Sequence, residues 1–317
     1  MDPIEVGGVV REARDLVEAY VKPEITSFSI SDAGESISVP AFKLGDEVKI
    51  VQPADIENWR QRPRFRQGIA TLLSLDAVID HVNRFKDAES VVFADNNRTA
   101  PTLTAVLDYH PKGGQLDDAK PRFGKHRSHY AFPLSEEWQA WKKMDGKAMP
   151  MADFALFLEE RIVDVIGLIT GEDTVSEELQ KYIDSCGGTE TIANPAKLIE
   201  LSRGLQVYES AVVKQANRLS SGEGELTFEV SHSSQDGKPL KVPSLFLIAI
   251  PVFYADGYYR IAARLRYRKT GEGIVFWYDL WRTDHAFDHA FTMACKRVAD
   301  GDRWTEVALV HPYVNDR

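Results

Sequence analysis

Hydrophobic positions near the start of the chain recur at helical spacing. Val6, Val10, Ala13, Val17 and Tyr20 share one stripe and Pro23 stops it, so the chain opens on an amphipathic helix. Between residues 25 and 51 the period drops to two. Phe28 and Ile30, Ile37 and Val39, then Val48 and Ile50 mark short strands, with Pro40, Gly45 and Asp46 read as breaks. Helical spacing returns over 75–86, where Leu75, Val78, Ile79, Val82 and Phe85 form an apolar face behind a Ser74 cap. Strands over 90–94 and 102–108 flank the polar turn Asp95-Asn96-Asn97-Arg98 as a hairpin, and a further strand over 126–132 follows the loop 111–125. Ser135, after Pro133, opens a short helix carrying Trp138 and Trp141. The spacing predicts the strongest helix over 151–169, with Phe154, Phe157, Leu158, Ile162, Val165, Ile166 and Ile169 on a broad face.

Glycines at 187 and 188 close an acidic helical stretch, and Asn194-Pro195 starts another helix with Asn as cap and Pro in its first turn. From about residue 206 the pattern is that of strands. Leu226, Phe228 and Val230 alternate with polar residues, as do Tyr259, Ile261, Ala263, Leu265 and Tyr267, then Ile274, Phe276, Tyr278 and Leu280. Turns at 222–224, 236–237, 256–257 and 271–273 make this an antiparallel meander. A last helix over 284–299 presents Phe287, Ala290, Phe291, Ala294 and Val298 to the sheet. The fold class is α+β: a C-terminal antiparallel meander with flanking helices, and an N-terminal helix with hairpins. The organisation read from it is 1–55 as a helix-and-strand segment, a candidate assembly arm, and 56–317 as an α+β body with a helical insertion near 151–205.

Composition narrows the function classes. The 317 residues are 44% hydrophobic and 27% charged, as in an ordinary globular protein, and at about 150 residues per domain allow one large or two modest domains. Two cysteines, Cys186 and Cys295, give no disulfide framework and fit a reducing compartment. The first residues lack the apolar run of a signal peptide, and the most apolar stretch, 245–255, is short of the ~20 residues of a membrane span. No membrane partner is expected. The net charge of −10 argues against generic polyanion binding, but the charge is uneven: residues 159–190 hold nine acids and two bases, a net of −7.

Motifs that hold phosphates, nucleophiles or metals are missing: no G-x-x-x-x-G-K-[ST], no G-x-G-x-x-G between strand and helix, no G-x-S-x-G, no H-E-x-x-H and no C-x-x-C. The sequence therefore leans away from an enzyme and names no catalytic residue and no cofactor. His285 and His289 lie four apart on the last helix, the spacing of half a metal site, beside Asp284 and Asp288; the plainer reading is an exposed first helical turn. His126 and His129, three apart on a strand, point to opposite faces. Cys186 lacks a histidine partner, and Cys295 belongs with the core side of its helix.

Three basic clusters remain. Arg260, Arg264, Arg266 and Arg268 share one parity on one strand, with no acid between Asp256 and Glu272. Such a ladder suits a phosphate backbone, or pairing with acids such as Glu225, Glu229 and Asp279 on neighbouring strands. Arg60, Arg62, Arg64 and Arg66 interleave with Trp59 and Phe65, a composition for stacking on bases or for a connector with solvated arginines. Lys120, Arg122, Lys125 and Arg127 form the third. Basic clusters against one acidic stretch also suit association between copies, positive patch to negative patch.

Residues 91–98 (VVFADNNR), 103–111 (LTAVLDYHP), 121–160 (with GKHRSHYAFPLSEEWQAW and DFALFLEE) and 242–268 (VPSLFLIAIPVF to RLRYR) resemble the YfdQ-like family of unknown function found in phages and prophages. The resemblance covers most of the chain after about residue 55 and implies a phage-encoded protein in the bacterial host cytoplasm. It carries no site residues. Two expectations of different class follow. The first is a non-enzymatic accessory protein that self-associates into a homo-oligomer. The second is a single-stranded nucleic-acid-binding protein of phage DNA metabolism that uses the two arginine segments. A host protein is a further candidate partner.

Overall fold

The computed structural model describes residues 4–21, 24–32, 35–44, 47–51, 61–63, 65–111, 122–168, 175–207, 212–218, 223–229, 240–271 and 273–301. The chain divides into two compact units, Met1–Gln67 and Gly68–Arg317.

The first unit holds helix α1 (Ile4–Val21) and an antiparallel meander of β1 (Glu24–Asp32), β2 (Glu35–Leu44) and β3 (Glu47–Ile50). Register runs from Glu24 opposite Lys43 to Asp32 opposite Glu35. Pro40 is not a break; it lies inside β2 opposite Ser27. Its carbonyl accepts from the Val51 N–H at 2.9 Å, on the β3 side and beyond the last pair there, Ala41 with Ile50. The missing proline N–H faces that same side, so the β1 ladder loses nothing.

In the second unit a four-stranded sheet runs in the order β4 (Gly68–Leu72), β7 (His126–Ala131), β6 (Thr102–Val106), β5 (Val91–Asp95). β5 and β6 form the expected hairpin, whereas β4 joins β7 in parallel. Helix α2 (Leu75–Phe85) is capped by Ser74, whose oxygen accepts from the Ala77 N–H. α3 (Glu136–Met144) is capped by Ser135, which is buried, accepts from the Trp138 N–H at 3.0 Å and donates to the Pro251 carbonyl at 2.6 Å. Ser135→Ala removes both bonds and leaves a buried carbonyl unpaired. It is expected to cost about 1–3 kcal/mol in urea unfolding, and a loss under half of that would show the cap to be dispensable.

The main sheet has six strands. β14 (Leu245–Pro251), β15 (Tyr258–Thr270) and β16 (Gly273–Leu280) form an antiparallel centre, and β8 (Met149–Pro150) pairs with β16. The free edge of β14 is met end to end by β9 (Val165–Ile166), antiparallel, and β10 (Ile192–Ala193), parallel. These short strands come from the stretch read as a helical insertion, which is therefore stitched into the sheet. The helix expected over 151–169 is shorter. α4 (Met151–Glu160) ends where Arg161 donates its N–H to the Phe157 carbonyl, and a single 3-10 turn, Ile162–Asp164, follows. The β-branched residues Val165 and Ile166 then take ladder bonds with β14 in place of helical ones.

α5 (Glu177–Ser185) ends in a Schellman motif: the Gly188 N–H reaches the Ile183 carbonyl at 3.0 Å while Gly187 takes a φ of 118°, which a side chain would oppose. α6 (Pro195–Val207) is capped by Asn194, whose Oδ1 accepts from the Lys197 N–H. The expected single meander is two sheets. β11 (Val212–Arg218), β12 (Gly224–Glu229) and β13 (Leu240–Val242) make a three-stranded sheet of their own, separate from β14–β16. α7 (Thr283–Gly301) closes the described chain.

The core explains these placements. One face of β14–β16, with Phe246, Ile248, Ile261, Ala263, Leu265, Phe276 and Tyr278, packs with Trp141, Phe154, Leu158, Leu201 and Phe287 from the helices. The other face, with Leu245, Leu247 and Ala262, packs under Leu179 and Ile183 of α5. Burial on both faces is why β14 reads as an unbroken apolar run rather than an alternating one. The architecture is α+β, as the sequence predicts.

Candidate functional site

β15 divides cleanly by parity. Its odd-numbered residues from Ile261 to Leu265 enter the core, and the even-numbered face carries Arg260, Ala262, Arg264, Arg266 and Arg268. The ladder is not continuous. Ala262 is fully buried beneath α5, so Arg260 is set apart from the other three. Tyr182 of α5 stacks on Trp281 at 4.8 Å between ring centroids. Burial pushes the Tyr182 phenol above its usual range, and Arg264 and Arg266 nearby oppose that shift.

Register places Arg264 opposite Asp279, Arg266 opposite Trp277 and Arg268 opposite Val275. Arg266 donates Nε to Asp279 Oδ2 at 2.5 Å, so one member of the ladder is paired inside the sheet. Arg264 and Arg268 have no ion pair or hydrogen bond among the described residues. A cavity of about 330 Å³ opens here, lined by Arg264, Arg266, Trp277, Tyr267, Ser244 and Gly224 among others. It offers the Arg264 guanidinium, with the Asp279-paired Arg266 next to it, beside an indole, groups able to take a phosphate and a stacked ring. The sequence does not single out Trp277. Its company with Arg266 depends on the β15–β16 register, and no local pattern marks it.

The other sequence candidates fall differently. Arg60 and Arg64, with Trp59, lie outside the described residues. Arg62 and Arg66 are exposed and belong to the unit Met1–Gln67, and Phe65 is exposed with them. In the third basic cluster Lys120 lies outside the described residues. Arg122 pairs with Asp87 at 2.7 Å, Lys125 sits over the Phe123 ring, and Arg127 donates Nε to the Gly124 carbonyl. These bonds fold the loop against its neighbours.

His285 lies 3.8 Å from Asp284, while His289 Nδ1 meets the Tyr259 hydroxyl at 3.0 Å. Asp288 is taken by Arg98 at 2.9 Å. No group of three His, Cys, Asp or Glu side chains able to hold a metal occurs among the described residues, so this helical pair has no third ligand there. His126 and His129 take separate faces, His126 against His81 and Phe85, His129 bonded to Thr104. Cys186 is buried at the α5 C-cap, and burial pushes the Cys295 thiol up to about 11, which disfavours a nucleophile.

The first unit presents a different surface. Among its described side chains Ala41 is buried, whereas Val10, Leu16 and Val17 of α1 are each about 60% exposed, and Ile25 of β1 is 81% exposed. Phe42, Val48 and Ile50 are also exposed. The amphipathic stripe of α1 thus carries apolar surface that its own unit leaves open.

The molecule is an α+β protein with a partly paired basic sheet face and an N-terminal unit that leaves several large apolar side chains exposed. The chain belongs to the uncharacterized conserved protein family DUF2303, whose model matches residues 16–310. No curated protein and no solved structure matches it. No described helix is long and apolar enough to cross a membrane.

Proposed function

We propose that the protein is a phage- or prophage-encoded, non-enzymatic accessory protein that self-associates in the bacterial host cytoplasm. The observation that carries the reading is the exposed apolar surface of Met1–Gln67, where Val10, Leu16, Val17 and Ile25 face solvent in a single copy. Large apolar residues left exposed in one small unit favour burial against a partner, and an identical chain is always present at equal concentration. The phage assignment is supported by the ordered motifs from VVFADNNR to RLRYR. Light scattering on the full chain at micromolar concentration is expected to give two or more times the 35.6 kDa of one chain. A strict monomer would sink the proposal.

A second reading, binding of single-stranded nucleic acid, is favoured by one observation: Arg264 lines a cavity with Trp277 and has no acid partner among the described residues. Arg264→Ala with Arg268→Ala is expected to weaken binding of a labelled oligothymidylate about ten-fold at low salt, and to flatten the salt dependence of what remains. Equal binding by the variant and the parent would exclude this face.

A further inference from the structure

A cavity of about 650 Å³ lies away from the arginine strand, where the tip of the β5–β6 hairpin meets α3 and the start of α7. That volume is in the range of small-molecule sites. Its floor is apolar: Leu134, Trp138 and Phe287, the last two almost wholly buried. The rim is charged, with Arg98, Lys142, Lys143 and Asp284 in the lining.

Two of these cations are already committed. Arg98 lies over the Phe287 ring at 4.9 Å and donates to Asp288 Oδ2 and to the Asp284 carbonyl, each at 2.9 Å. Lys142 donates to Asp145 Oδ2 at 2.8 Å and to Thr283 Oγ1 at 3.1 Å. Those bonds leave neither cation uncommitted. Asp145 is itself anchored, because its other oxygen accepts from the Leu280 N–H at 2.9 Å. Lys143 alone among the three cations has no ion pair or hydrogen bond among the described residues. The first turn of α7 adds to its field. Thr283 and Asp284 line the cavity where helix N–H groups have no intrahelical acceptor, and the helix dipole favours negative charge there.

We propose that this cavity binds a small organic monoanion with an apolar body. The body lies against Leu134 and the small exposed part of Trp138, above the Phe287 ring that Arg98 covers, and the anionic group takes Lys143 and the first turn of α7. The charge balance sets the class. Asp288 and Asp145 already offset Arg98 and Lys142, and Asp284 adds a further carboxylate to the rim. A polyphosphate would meet that carboxylate with too few uncommitted cations, whereas a single carboxylate or sulfonate needs one. The inference is independent of self-association, since none of its residues lies in Met1–Gln67.

The test is calorimetric titration of the full chain with 1-naphthoate and with the neutral 1-naphthylmethanol. The proposal expects a naphthoate Kd at or below about 1 mM. Naphthylmethanol should bind at least about five-fold more weakly, and Lys143→Gln should weaken naphthoate by about the same factor, the scale of one partly exposed charge contact. Gln139→Trp places an indole in the cavity from an exposed position and should abolish binding; Thr99→Trp repeats the block from the hairpin side if the first variant folds poorly. Three results would each overturn the proposal: no naphthoate binding, equal affinity for acid and alcohol, or binding that survives both blocking variants. The last would move the ligand to other apolar surface.

Discussion

Trp141→Ala is expected to lower the unfolding free energy by about 3–5 kcal/mol, the cost of deleting a large buried aromatic side chain. Trp141 is fully buried in α3, and its ring meets Phe157 and Tyr278 edge-on at 5.0 and 5.1 Å between centroids. Its indole N–H donates to Asp164 Oδ2 at 2.8 Å, in the 3-10 turn after α4. The variant opens a cavity and also strands that carboxylate. With net stabilities near 5–15 kcal/mol, such a loss leaves the fold marginal. Urea unfolding measures it, and a loss below about 1 kcal/mol would show that the neighbouring rings close the gap.

The same pair fixes the sign of a pH effect. Burial raises the Asp164 carboxyl above its usual range, while the Trp141 hydrogen bond and then Arg161 pull it back. A carboxyl raised in the folded state binds its proton more tightly there than in the unfolded chain. Its contribution to stability is therefore greatest at low pH and falls as pH rises from the ordinary carboxyl range through the folded value. Removing the indole donor lets the carboxyl rise further. The penalty of Trp141→Ala should thus grow with pH above the parent's folded value, up to the higher value in the variant, and Trp141→Ala in an Asp164→Asn background should lose the extra slope.

Features written in neighbouring residues were legible in the sequence. Ser74, Ser135 and Asn194 act as helix caps because a short side-chain oxygen before an apolar stripe can reach the N–H three residues on. The 91–106 hairpin and the two-residue alternation of β15 were legible for the same reason. Features set by distant pairing were not. β9 and β10 are two residues each, too short for any period, and exist because the edge of β14 supplies their partners. The arginine face shows both cases. Parity assigned Arg260, Arg264, Arg266 and Arg268 to one side of the sheet, but nothing local to α5 says that Leu179 and Ile183 settle over Ala262 and divide them. Nor could spacing tell that Asp279 claims Arg266 and leaves Arg264 and Arg268 without such an acid.

The self-association proposal makes its strongest demand on α1. Val10 and Val17 are seven apart and so share a face of the helix, with Leu16 about 100° round from Val17; in a single copy the two valines are 62% and 59% exposed. If that face seats against a second copy, each valine buried contributes about 1.5 kcal/mol, and a twofold interface counts each twice, for roughly 6 kcal/mol or about four decades in Kd. Val10→Glu with Val17→Glu is therefore expected to convert the assembly to monomer at micromolar concentration in sedimentation equilibrium. Helix loss does not explain that outcome, because glutamate has a higher helix propensity than valine and the carboxylate introduced at position 10 stands four residues before Arg14. Far-ultraviolet circular dichroism should accordingly be unchanged. Val163→Glu, at an apolar side chain 85% exposed in the other unit, is the matched control and should leave the mass alone. An unchanged mass in the α1 variant would remove this helix from the interface, and dissociation by both variants would show that added charge acts without regard to position.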